Sequence, residues 1–150
     1  MGSVVHDSFS IERTYPAAPD RVFAAWTTLD AKKQWFGNEA GIEPVGEQTL
    51  DFRVGGQEHF TAKAEGRVYD FDATYCDIVE NERIVWTYDM RMDGERISVS
   101  LATVEIAGTP GGTKLVMTEQ GAFLDGLDTN DQRREGTEQF LGNLASFLAD

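Results

Sequence analysis

A chain of 150 residues is close to the commonest single-domain size, roughly 100 to 150 residues, so one domain is expected over residues 1–150, with its core at about 8–149. Its 26 acidic side chains against 13 basic ones give a net charge of −13, which repels phosphate backbones and anionic headgroups and excludes nucleic acid and membrane surfaces as partners. An apolar fraction of 41% is enough to fill a core, so the charge speaks for solubility rather than for disorder.

In chain order, Phe9, Ile11, Arg13 and Tyr15 alternate with Ser10, Glu12 and Thr14, the period of a strand with one buried face, which Pro16 ends. Pro19 and Asp20 suit the first turn of a short helix carrying Val22, Phe23 and Trp26. A second short helix is expected from Asp30 as its cap through Trp35 and Phe36, closed by Gly37. Alternating segments then predict six more strands, around 50–54, 59–63, 68–79, 84–88, 97–106 and 115–119. Gly55-Gly56, Glu65-Gly66, Glu80-Asn81-Glu82, Asp93-Gly94 and 108–112 supply the turns. Thr129 to Gln132 forms a capping box before a helix whose apolar stripe is Phe140, Leu141, Leu144, Phe147 and Leu148. One antiparallel sheet of seven strands with segregated helices is an α+β arrangement.

The single cysteine, Cys76, makes no internal disulfide, and no Cys/His spacing suits zinc. The N terminus has neither a basic start nor an apolar core of signal-peptide type, and no run approaches the ~20 apolar residues of a membrane span. A cytoplasmic protein without metal or cofactor is expected.

No nucleophile elbow, phosphate-binding loop, HExxH or EF-hand spacing is present. The aromatic rings carry more information, because they come from nearly every element and serve either as core or as the wall of a ligand cavity. Trp35, Phe60, Phe71, Trp86, Tyr88 and Phe140, together with Leu144, are the candidate lining residues. His59 and Glu119 are the candidate polar contacts. His59 has the chemistry for proton transfer near neutral pH, against the alternative of a surface or structural histidine. Glu119 shares the strand face of Leu115 and Met117; if that face is inward, the carboxylate requires a cation, Arg53 or another strand arginine, as a buried ion pair or as a ligand-orienting group. Asp125, Asp128, Asp131 and Glu135 lack the calcium-loop pattern and read as acids favoured at a helix N terminus, with Arg133 and Arg134 as solvated charges. Gly136 inside the last helix costs roughly 1 kcal/mol against alanine and suggests a close backbone approach or a widened pocket entrance.

The stretch Ser10 to Pro19, then Val22 to Thr27 and Trp35-Phe36-Gly37, resembles the opening of the homologues of the activator of the ninety-kilodalton heat-shock protein ATPase, within the START-like, or SRPBCC, superfamily. Phe52 to Gly56, Tyr75 to Val79, Arg83 to Met90, Gly112 to Leu115 and Thr118 to Gly121 extend the likeness over about residues 8–149. The resemblance implies a helix-grip fold, a curved seven-stranded sheet around the C-terminal helix, with a deep pocket between them. It implies no universal catalytic residue, and its co-chaperone activity is linked to larger proteins with an added N-terminal domain.

Three functions follow as expectations. The first is a binding protein for an apolar or aromatic small molecule, with a cavity of roughly 300 Å3 or more. The second is a cyclase-like or hydrolytic enzyme using the same pocket, with His59 and Glu119 as its polar groups. The third is a chaperone-associated interaction module, which needs an exposed apolar patch or strand edge; a chaperone partner is not expected, and a homodimer is compatible with a domain of this size.

Overall fold

The computed structural model describes residues 2–149; Met1 and Asp150 lie outside the described residues. The chain order is β1 (Val4–Tyr15), α1 (Pro19–Ala24), α2 (Leu29–Lys32), β2 (Ile42–Pro44), β3 (Thr49–Leu50), β4 (Gln57–Ala64), β5 (Arg67–Val79), β6 (Arg83–Met92), β7 (Glu95–Thr109), β8 (Gly112–Leu124) and α3 (Asn130–Ala149). All pairings are antiparallel, in the order β1-β8-β7-β6-β5-β4-β2, with β3 also on β4. The fold is the expected α+β helix-grip arrangement, a curved sheet of eight strands around α3. Among the described residues no helix is long and apolar enough to cross a membrane.

The extra strand is β2, whose three residues carry no alternation that a sequence pattern could detect. The expected strand at 50–54 shrinks to β3, because Arg53 N bonds Asp51 O and Gly56 N bonds Arg53 O, turning the chain on itself. A Cβ on Gly56 would lie 2.0 Å from the Asp51 carbonyl oxygen. Gly56→Ala therefore costs about 1–3 kcal/mol, a fall in melting temperature of roughly 2–4 °C for each kcal/mol, readable by thermal denaturation.

The hairpins after β4 and β6 each turn on two residues with positive φ, Glu65 (51°) with Gly66 (77°) and Asp93 (52°) with Gly94 (83°). That is the mirror-image turn whose twist matches paired strands. The second short helix begins two residues earlier than expected: Thr28 Oγ1, not Asp30, accepts the cap bond from Ala31 N at 3.2 Å. Hydrogen-bonded turns continue to Phe36, and Gly37 closes them at φ 81°.

Inward residues alternate as period two requires: Glu58, Phe60 and Ala62 on β4, Phe71, Ala73 and Tyr75 on β5, Ile84, Trp86 and Tyr88 on β6, Leu115, Met117 and Glu119 on β8. A bulge between Tyr75 and Asp77 leaves Cys76 exposed. Helix α3 starts with Thr129 Oγ1 accepting from Gln132 N at 3.2 Å. Its buried face is Arg133, Thr137, Leu141, Leu144 and Leu148, one residue per turn down a single side. Tyr15 donates to the Leu141 carbonyl at 3.0 Å, and Arg21 donates to the Leu148 carbonyl near the helix end. At the far end of the sheet, Trp26 and Trp35 meet edge to face at 4.6 Å, and Trp35 Nε1 donates to Ala25 O at 3.1 Å, which fixes the two short helices on the core.

Candidate functional site

Between the sheet and α3 lies a cavity of about 280 Å3. This is the lower edge of the roughly 300–1,000 Å3 of small-molecule sites and about twice an engineered cavity, about 150 Å3, that holds benzene. Its wall is mostly apolar: Phe60 and Ala62 from β4, Phe71 from β5, Trp86, Tyr88 and Met90 from β6, Met117 from β8, Phe36 beside α2 and Phe140 from α3. The rings pack against one another, Phe71 on Tyr88 at 4.8 Å and Phe36 on Phe140 at 5.2 Å, so the wall is held in place without a ligand. Gly136 also lines it and is exposed, and a Cβ there would meet nothing within 4 Å. Of the two readings of this glycine, the widened entrance is the one observed.

Of the sequence-derived candidates, Phe60, Phe71, Trp86, Tyr88, Phe140 and Glu119 border the cavity. Trp35 and Leu144 are fully buried in the core and do not. His59 is a correction. Phe60 and His59 are adjacent in one strand and take opposite faces, so His59 lies on the outer surface, its Nδ1 2.7 Å from Asp72 Oδ1 and its Nε2 3.1 Å from Thr61 Oγ1.

The expected partner for Glu119 is also corrected. Arg53 is exposed and pairs locally with Asp51 at 2.9 Å. The cation that reaches Glu119 is Arg133 of α3, 9% exposed rather than solvated, with Nη1 3.4 Å from Glu119 Oε2. Arg133 fills its donor positions: Nη1 to Tyr88 Oη at 2.8 Å, Nη2 to Ser98 Oγ and to Asp128 Oδ2, both at 2.7 Å. Tyr88 donates in turn to the carboxylate, 2.9 and 2.8 Å from its two oxygens. Burial pushes the Glu119 carboxyl above its ordinary range, opposed by the Arg133 charge and these hydrogen bonds. Burial likewise raises the Tyr88 hydroxyl, which stays protonated and able to donate.

A second polar cluster lies outside the sequence-derived candidates. Lys32 of α2, 3% exposed, lines the cavity, and its Nζ donates to Glu58 Oε1 at 2.7 Å; Tyr75 donates to the same oxygen at 2.6 Å. The ammonium lies 4.8 Å from the Phe36 ring centre, with the Trp26 and Trp86 rings at 5.7 and 5.9 Å. The signal was available: once Phe60 is inward, period two carries Glu58 inward, and Lys32 precedes Trp35 and Phe36 by one helical turn. Three buried polar atoms around the cavity have no partner, Trp26 Nε1, Glu39 Oε2 and Glu58 Oε2. Trp26 and Glu39 line it directly.

Among the described residues no group of three or more His, Cys, Asp or Glu is placed to hold a metal ion. The acids before α3 have other uses: Asp128 binds Arg133, and Asp125 Oδ1 accepts from Ser3 N at 3.0 Å.

A family model described as Activator of Hsp90 ATPase homolog 1-like protein matches residues 16–149. Among solved structures, the chain is similar to an uncharacterized protein from Rhizobium leguminosarum, with 44% identity, 99% of this chain and 98% of that chain covered, and a TM-score of 0.93. It is similar to a protein from Rhizobium loti at 42% identity, with 97% and 99% covered and a TM-score of 0.88. The AHSA1 protein from Silicibacter pomeroyi, 22% identical over 95% of this chain and 98% of that one, shares the fold at a TM-score of 0.76. No curated protein matches.

Proposed function

Because the chain belongs to the family of Activator of Hsp90 ATPase homolog 1-like proteins, and its sheet and C-terminal helix enclose an aromatic-walled cavity, we propose that it binds a small apolar or aromatic molecule there. The observation that supports this reading is the cavity: rings that would otherwise close on one another leave about 280 Å3 beside two fixed polar clusters. Apolar walls supply affinity through burial, and a few placed polar groups supply orientation. The size suits a ligand of one or two rings rather than a long acyl chain. A cytoplasmic setting accords with the exposed free thiol of Cys76.

Gly136→Leu tests the cavity apart from the fold. The new side chain enters the entrance, where no atom lies within 4 Å of the added Cβ, while replacing a helical glycine adds roughly 1 kcal/mol of helix propensity. Expected is a melting temperature equal to or above that of the parent, with loss of calorimetric binding of indole and of any small molecule retained in native mass spectra. A parent protein that retains nothing and binds neither indole nor other one- and two-ring aromatics defeats the reading.

Catalysis in the same cavity is supported by one specific observation, the Glu119 carboxylate on the cavity wall with the Tyr88 hydroxyl 2.9 and 2.8 Å from its two oxygens. With His59 on the outer face, Glu119 is what remains of the expected pair of polar groups. Glu119→Gln should abolish any conversion of the retained molecule, seen by mass, without releasing it.

A further inference from the structure

The ligand of the proposed cavity can be narrowed by charge. Two cations, Lys32 and Arg133, line it, against three carboxylates, Glu39, Glu119 and Asp128; Glu58 behind Lys32 makes a fourth. Both cations are already bridged to carboxylates at 2.7 Å, Lys32 to Glu58 and Arg133 to Asp128. Among the described residues that line the cavity, two buried polar atoms lack a partner, the acceptor Glu39 Oε2 and the donor Trp26 Nε1; Glu58 Oε2 and Gln48 Nε2 lack one outside the lining. Buried polar atoms in folded proteins are nearly always paired, and the open Glu39 Oε2, in a wall with more carboxylates than cations, fits a partner that donates a hydrogen bond and carries positive charge.

The wall agrees with that chemistry. Aromatic faces attract cations, and here one buried cation, the Lys32 ammonium, already sits among three rings. The net charge of −13 draws a cation toward the entrance and repels an anion. We propose, resting on the cavity-binding reading above, that the ligand class is a small aromatic or apolar amine in its protonated form, with Glu39 as the counter-ion of its ammonium. Glu39 fits this role by placement: it lines the cavity from the loop after α2, and its Oε2 is buried without a partner. Burial holds its carboxyl above the ordinary range, against two backbone hydrogen bonds, as expected of a carboxylate lacking a cation.

Three probes of nearly equal size separate the possibilities in calorimetric titrations at low salt: phenethylamine, 2-phenylethanol and 3-phenylpropanoate. The amine should bind at least about tenfold more tightly than the alcohol, with the propanoate weakest. Glu39→Gln should bring the amine's advantage below about threefold, and the charge-preserving Glu39→Asp should restore part of it, each at an unchanged melting temperature. If the alcohol or propanoate matches the amine, the amine assignment is overturned while cavity binding stands. An amine preference untouched by Glu39→Gln overturns the role of Glu39 and with it the proposal. Failure of all three probes, in the parent and in both variants, overturns the amine assignment, and the cavity reading falls with it if the parent also retains no small molecule and binds no indole.

Discussion

Arg133→Met should lower the stability of the fold by about 3–5 kcal/mol, because it leaves the Glu119 carboxylate, 1% exposed, without its cation. Against the roughly 5–15 kcal/mol that separates folded from unfolded chains, this is a large fraction. Tyr88, Ser98 and Asp128 lose a partner at the same time. The loss depends on pH in a definite direction. In the parent, burial raises the Glu119 carboxyl and Arg133 pulls it down. Removing Arg133 raises it further, so the folded variant favours the neutral acid. The deficit relative to the parent is therefore smallest below about pH 4.3, where the carboxyl is protonated folded and unfolded alike, and grows as pH rises through the folded-state value. Denaturant titrations at pH 4, 5.5 and 7 measure it. Arg133→Met/Glu119→Gln should recover more than half of the loss at pH 7. A single variant as stable as the parent at pH 7 would show that Glu119 is satisfied without Arg133.

Lys32→Met is expected to be as damaging, again about 3–5 kcal/mol, and the reason is dryness: the Lys32 and Glu58 side chains are 3% and 1% exposed. Met matches the lysine stem in bulk, so packing against Trp26, Phe36 and Trp86 survives and the effect isolates the charge. What remains is a buried carboxylate with one donor, the Tyr75 hydroxyl at 2.6 Å. Burial and the Glu58 charge push that hydroxyl's pKa up, so it stays protonated and donates, but a neutral phenol supplies no positive charge. Lys32→Met/Glu58→Leu should be more stable than Lys32→Met alone, since an apolar pair of similar volume is often neutral or better than a buried ion pair. The midpoint and slope of urea unfolding decide this, provided the slope is unchanged between variants. Equal stability of the single and double variants would mean that Glu58 is accommodated without its lysine.

Both predictions concern clusters that the chain reveals unevenly. Glu119 is legible because Leu115, Met117 and Glu119 share a face by period two, whatever lies opposite. Arg133 is also on a buried stripe, four residues before Thr137 and eight before Leu141, but a stripe that opens with Arg133-Arg134 looks like a solvated helix end until the sheet beneath it is known. Lys32 precedes Trp35 and Phe36 by one turn and invites the same misreading. His59 shows the converse error: a histidine beside Phe60 cannot share its face, and the alternation alone excludes the pair from one wall.

Composition and periodicity by themselves determined the class of fold, which residues share a face along β5, β6 and β8, the turns on Glu65-Gly66 and Asp93-Gly94, and the net charge of −13. These depend on local sterics and on the burial of alternate side chains, which each segment carries in its own order. Tertiary structure alone decided that Arg133 crosses from the helix to Tyr88 and Glu119, that Lys32 meets Glu58 across 26 positions, and that Gly136 opens onto about 280 Å3. Those facts depend on how far the curved sheet stands from the helix, a distance set by all the contacts together and written in no single segment.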